Sequence, residues 1–159
     1  MNAVALPLVL LGLATGVAIA PAARSTRAIG FVAFALLAGI VARLASPIPL
    51  DAALRGSWIV IGLCAGAIHL PRTSGRLALV FACASGGCAG MLAASSAALP
   101  EGYVLPPAIA ALALASWCLC HGAHVAVKIL ASWLVAIALL MASLHGVPVT
   151  PGDRLDHLE

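Results

Sequence analysis

The sequence predicts an all-α fold: a polytopic membrane helix bundle of six transmembrane helices, with five as the competing count. Of the 159 residues, 64% are apolar and only 8% are charged, against roughly 45–50% and about 25% in a soluble domain. A soluble globule of ~150 residues hides only about 70% of its unfolded surface from water. Eight Lys/Arg and five Asp/Glu cannot coat the remainder. Charges and Pro/Gly clusters also cut the chain into runs near the ~20 residues that cross ~30 Å of hydrocarbon. The ten-residue alternating segments of a membrane barrel do not occur. This balance excludes a soluble enzyme, a disordered chain and a coiled coil, and the lack of a basic stripe excludes a nucleic-acid partner.

Residues 1–146 read as one membrane-embedded helical domain, followed by a short polar tail, 147–159. The first helix, about 4–20, is closed by Pro21 with Arg24 and Arg27. Its Leu6 to Ala20 stretch also resembles the apolar core of a signal peptide, with Ala18-Ile19-Ala20 at the cleavage position. No Lys or Arg precedes it, however, and Pro21 is a poor residue to cut before, so it is kept as a helix. The second helix, 28–45, ends at Ser46-Pro47-Ile48-Pro49, and the third, 52–70, ends at Pro71 to Arg76. The fourth, 77–99, stops at Pro100-Glu101-Gly102. The apolar stretch from Pro107 to Gly146 would reach ~60 Å as one helix, about twice the bilayer. It therefore divides near His121-Gly122-Ala123-His124 into helices 107–123 and 126–146. The five-helix count applies if that turn is wrong.

Charge placement sets the orientation. Arg24, Arg27, Arg72, Arg76 and Lys128 fall on one face, and Arg43, Arg55 and Arg154 on the other with all the acids, Asp51, Glu101, Asp153, Asp156 and Glu159. The positive-inside bias makes the first face cytoplasmic, with both termini periplasmic at a cell inner membrane. Arg43, Arg55 and Lys128 lie near helix ends, where their stems reach the head groups, and Asp51 stands between the two arginines as a pairing candidate. No charge falls at mid-membrane, and proton-coupled pumps keep a carboxylate there.

Three G-x-x-x-G pairs, Gly12/Gly16, Gly62/Gly66 and Gly86/Gly90, mark faces where helix backbones can approach closely. Ala14, Ala18 and Ala22 form a smooth stripe on the first helix that suits a partner subunit. Trp58 fits an aromatic belt near the outer face, while Trp117 and Trp133 lie deeper. The cysteine count of five is odd and spread through apolar runs, which is no secreted disulfide framework.

The densest polar cluster is Cys118-Leu119-Cys120-His121-Gly122-Ala123-His124. Cys120, His121 and His124 fall within about 100° of helical arc. Thiolate and imidazole are the ligands that zinc, copper and haem iron prefer, and His69 shares their depth on another helix. The candidate metal set is therefore His69, Cys118, Cys120, His121 and His124, for haem b or Cu/Zn. The spacing matches no closed zinc motif, and the bland reading is solvated histidines with small apolar cysteines. Ser85 beside Gly86-Gly87, with His121 as a base, is the sequence's faint hydrolase signal.

In size and helix count alone, the architecture resembles the small six-helix substrate-binding subunits of vitamin and metal uptake systems. That is an analogy of fold, from which function does not follow. The expected role is that of a non-enzyme: a small transporter component or a membrane-embedded accessory subunit of a larger complex. Its partners would be the lipid bilayer and other membrane subunits or further copies of itself. The alternative is a haem- or metal-binding redox subunit.

Overall fold

A computed structural model describes residues 4–44, 49–70, 74–95 and 105–146. These form six helices: α1 (Ala5–Ile19), α2 (Arg24–Leu44), α3 (Leu50–Gly66), α4 (Gly75–Ser95), α5 (Leu105–Cys120) and α6 (His124–Gly146). A short 3₁₀ turn, Ala67–His69, extends α3. The fold is thus an all-helical bundle. Four helical stretches, Arg24–Leu44, Leu50–His69, Gly75–Ser95 and His124–Leu144, are long and apolar enough to cross a membrane. The two others, α1 and α5, have 15 and 16 residues. The predicted tail, 147–159, and the predicted last turn of helix four, 96–99, lie outside the described residues.

The ends differ from the sequence reading by a few residues, for local reasons. Charges limit the part of a helix that sits in hydrocarbon, not the helix itself. So α2 begins at Arg24, inside the arginine pair expected to precede it. Ser74 starts α4 two residues early, because its Oγ accepts the Leu77 N–H at 3.3 Å as an N-cap. Pro106 and Pro107 fall in the first turn of α5, where a missing N–H costs nothing. The break between α5 and α6 falls at the predicted place. Gly122 takes φ +75°, a left-handed conformation suited to glycine. The Ala123 N–H then donates to Cys118 O at 2.8 Å and the Gly122 N–H to Leu119 O at 3.3 Å. These two bonds close the helix as a Schellman motif.

The helices pair out of sequence order: α2 lies along α4, α1 along α5 and α3 along α6. At the centre is α1, which touches all five other helices. Eleven of its 15 residues are buried, whereas α2 buries only Gly30 and Phe34. This position explains how a short helix is tolerated. At 1.5 Å per residue α1 covers about 22 Å, less than the hydrocarbon. The chain leaving it is sheltered by protein, since Ala20 is fully buried and Ala22 nearly so. Irregular backbone at membrane depth survives in such shelter. The Ala14, Ala18 and Ala22 stripe is accordingly buried by the chain's own helices. It is not a free docking face, which corrects the sequence expectation.

In lipid, apolar side chains gain little by leaving their surroundings, so close backbone approach has to hold helices together. The α2–α4 seam is built that way. A Cβ placed on Gly86 would stand 2.5 Å from the Phe34 carbonyl oxygen. One on Gly90 would stand 2.6 Å from the Val41 Cβ and 2.7 Å from the Ala38 oxygen. A step of four residues on α4 matches a step of four on α2, so the two run parallel. The α1–α5 seam is similar: a Cβ on Gly16 would meet Ala108 O at 2.5 Å and Leu112 N at 2.8 Å. The α5 side of it is smooth, with Ala108, Ala111 and Ala115 buried on one face. Gly12 is buried in α1 as well. The third pair behaves otherwise. A Cβ on Gly62 would meet only the Ala138 Cβ, at an ordinary 3.6 Å, and one on Gly66 would meet nothing within 4 Å. Gly62/Gly66 is therefore not a close-packing motif inside this chain.

The outward faces are apolar, as lipid requires. Ile29, Val32, Leu36 and Ile40 are exposed along α2, and Val125, Ile129, Leu139, Leu140 and Leu144 along α6. Trp117 and Trp133 belong to this outer surface, whereas Trp58 is buried among the helices. The burial of Trp58 overturns the aromatic-belt expectation for that ring. Trp58 lines a cleft with Gly62 and Ala138 between α3 and α6, so a small-residue gap draws the large ring inward.

Candidate functional site

The described interior carries three buried polar residues, Thr15, Ser57 and Ser85, and each has a partner. The Thr15 hydroxyl donates to Leu11 O and the Ser57 hydroxyl to Leu54 O, both at 2.7 Å, so each helix satisfies its own side chain. Ser85 Oγ lies 3.3 Å from Cys64 Sγ across the α3–α4 contact. Ser85 thus engages a thiol rather than an imidazole, and the hydrolase signal of the sequence loses its geometry. No charged side chain is buried among the described residues.

The chemistry gathers instead at one end of the bundle. Gly75 at the start of α4 faces Thr26 near the start of α2. Arg27 of α2 donates through Nη1 to Ser116 Oγ of α5 at 3.0 Å and through Nε to Ala22 O at 2.6 Å. One guanidinium thereby ties the α1–α2 turn to the last turns of α5. The sequence reading used Arg27 as a helix boundary and a mark of sidedness. Its structural part was hidden because Ser116 lies 89 residues away along the chain. The same end holds the 3₁₀ turn, where His69 Nε2 lies 3.3 Å from Ser132 Oγ of α6. It also holds the α5–α6 turn. The three basic connections predicted to share a face do so, for Arg24, Arg27, Arg76 and Lys128; Arg72 lies outside the described residues. At the opposite end, the Arg55 Nε donates to the backbone oxygen of Asp51 at 3.3 Å rather than forming the side-chain pair anticipated there.

All five candidate metal ligands lie at or near this end, but they do not converge. The His121 ring stacks on Trp117, with centroids 4.6 Å apart, and its Nδ1 lies 2.9 Å from Trp117 O. Cys118 packs partly buried beside the small apolar cluster of Val17, Ala20, Ala111, Ala115 and Val127. Cys120 is exposed. His124 opens α6 and lines a shallow cavity, two turns of helix from the Ser132 that His69 meets. Among the described residues, no three His, Cys, Asp or Glu side chains stand close enough to hold one ion. The reason is the Schellman turn. Gly122 breaks the helical phase on which the expected arc depended, leaving His121 in the turn just past α5 while His124 opens α6.

What remains at this end is a cavity of about 180 Å³. Its polar wall is His124 with Lys128, one turn apart on α6, and its apolar wall is Pro21, Ile68, Leu70, Leu119 and Val127. Among the described residues the single carboxylate, Asp51, belongs to the first turn of α3 at the other end of the bundle. The end is thus electropositive and half apolar. Comparison with protein families, curated proteins and solved structures finds no match to this chain, so the bundle and its basic end rest on their own geometry.

Proposed function

We propose that this protein is a non-enzymatic subunit of a cell inner membrane, either a small transporter component or an accessory subunit embedded in a larger complex. In this reading the end that carries Lys128 is cytoplasmic, by the positive-inside bias, and both termini are periplasmic. One observation carries the preference for the accessory role: the described interior around α1 is uncharged, and its three hydroxyl-bearing residues are already engaged. Ion and proton paths through a membrane are built from ionisable or unsatisfied polar groups at depth. A bundle filled with Leu, Ala and Gly provides packing and lipid contact, and a partner would supply the path.

The test is extraction of the tagged protein from its native membrane in mild detergent, with its mass measured by light scattering after chemical cross-linking. The expected result is a defined assembly heavier than the single chain, with its other subunits in fixed ratio. A lone chain that by itself carries a solute across liposomes would overturn the accessory role. Metal analysis of the same sample examines the redox alternative: a Soret band, or copper or zinc in stoichiometric amount, would give His69, Cys118, Cys120, His121 and His124 a ligand.

A further inference from the structure

We propose that the cavity at the basic end binds the phosphate of an anionic glycerophospholipid, with His124 and Lys128 as its recognition groups. Four features point the same way. The cavity, about 180 Å³, holds a phosphate together with the glycerol carbons beside it. Lys128 and His124 line it from the first turns of α6. Helix N-terminal N–H groups favour an anion at that place, and the two side chains supply the contacts that a helix end alone lacks. The surrounding charge is of one sign: Arg24 and Arg27 open α2 and Arg76 opens α4 at the same end. Finally, the rest of the wall is Pro21, Ile68, Leu70, Leu119 and Val127, a lining that repels a hydrated free anion and suits an amphiphile. Beside His124 and Lys128 on α6 run Val125, Ile129 and Trp133, all exposed, so acyl chains have an apolar face to follow away from the head group. Basic pockets between membrane helices hold lipid head groups by this combination.

Free inorganic phosphate shares the ionic chemistry but gains nothing from the apolar wall. The experiment is native mass spectrometry of the intact protein released from nanodiscs of phosphatidylcholine containing phosphatidylglycerol. One phosphatidylglycerol per chain should remain bound, phosphatidylcholine should not, and millimolar inorganic phosphate should leave the complex unchanged. Lys128→Ala should weaken retention about fivefold, as expected for one cation at an anionic head group, and Lys128→Glu further. Arg76→Ala, at the same end but outside the cavity, should bind as the wild type does. Circular dichroism and melting of each variant, which change little at these exposed positions, separate loss of binding from loss of fold. Equal losses in the Lys128 and Arg76 variants would overturn the site, since the attraction would then belong to the whole basic face. Displacement of the lipid by inorganic phosphate would overturn the lipid as its occupant.

Discussion

Two helix pairs in this bundle carry the same four-residue glycine signature and use it differently. On α4, Gly86 and Gly90 let the α2 backbone come so close that a single methyl group has no room. On α3, Gly62 and Gly66 face open space or an ordinary contact with α6, and the gap beside Gly62 is a cleft of about 320 Å³ lined by Trp58 and Leu139. The difference lies in what stands opposite. α2 presents Ala38, Val41, Ala42 and the Phe34 backbone at a matching spacing. α6 presents only the Ala138 side chain to Gly62, at an ordinary distance and with no backbone atom within 4 Å, and Val135, Leu139 and Ala142 border the cleft beside it. A glycine pair is thus half of a contact, and its partner face decides whether the contact forms.

The comparison breaks most sharply at the tight seam. Gly90→Ala and Gly86→Ala should each destabilise the bundle by about 1–3 kcal/mol, the usual cost of overpacking. Leucine at either position should prevent assembly, and Gly16→Ala should behave like the α4 alanine variants. Thermal unfolding in detergent measures all of these. Next in size is the tie across the basic end. Arg27→Ala removes two charge-assisted bonds, to Ala22 O and Ser116 Oγ, and should cost about 1.5–3 kcal/mol. Ser116→Ala should cost only part of that amount, because the Ala22 bond remains. Ser85→Ala, which takes the partner from Cys64, should cost about 0.5–1.5 kcal/mol in the same assay. The smallest effect is expected at the open seam. Gly62→Ala and Gly66→Ala should be neutral or add up to about 1 kcal/mol, since alanine is the better helix former where nothing obstructs it. Destabilisation there to the level of Gly90→Ala would mean that the two seams are alike after all.

Much of this was legible in the sequence because hydrocarbon imposes one simple demand. Apolar length and charge position located six helices within a few residues, and Gly122 between two histidines located the hardest break. The grouping of the basic connections was legible too: Arg24, Arg27, Arg76 and Lys128 sit at helix ends that the up-and-down course of six helices brings to one end of the bundle. Neighbour relations were not legible. When every face of a helix is apolar, no periodicity says which face is inside, so the buried Trp58 and the exposed Trp133 look alike in sequence. For the same reason the alanine stripe of α1 reads as a surface although it is the centre. The His/Cys arc failed for a different reason. It assumed one continuous helical phase through residues 118–124, and the turn at Gly122 ends that phase.

The fold places lipid outside and α1 inside, and the three tryptophans report on both at once. Trp133 is 70% and Trp117 59% exposed, while Trp58 is 3% exposed. Single-tryptophan variants of the full chain, with phenylalanine at the other two positions, can be reconstituted in bilayers with brominated acyl chains, which quench indole fluorescence on contact. The fluorescence of Trp117 and Trp133 should fall strongly while that of Trp58 stays near its value in unbrominated lipid. Quenching of Trp58 as deep as that of Trp133 would contradict the packing, and no quenching at any of the three would contradict the membrane itself.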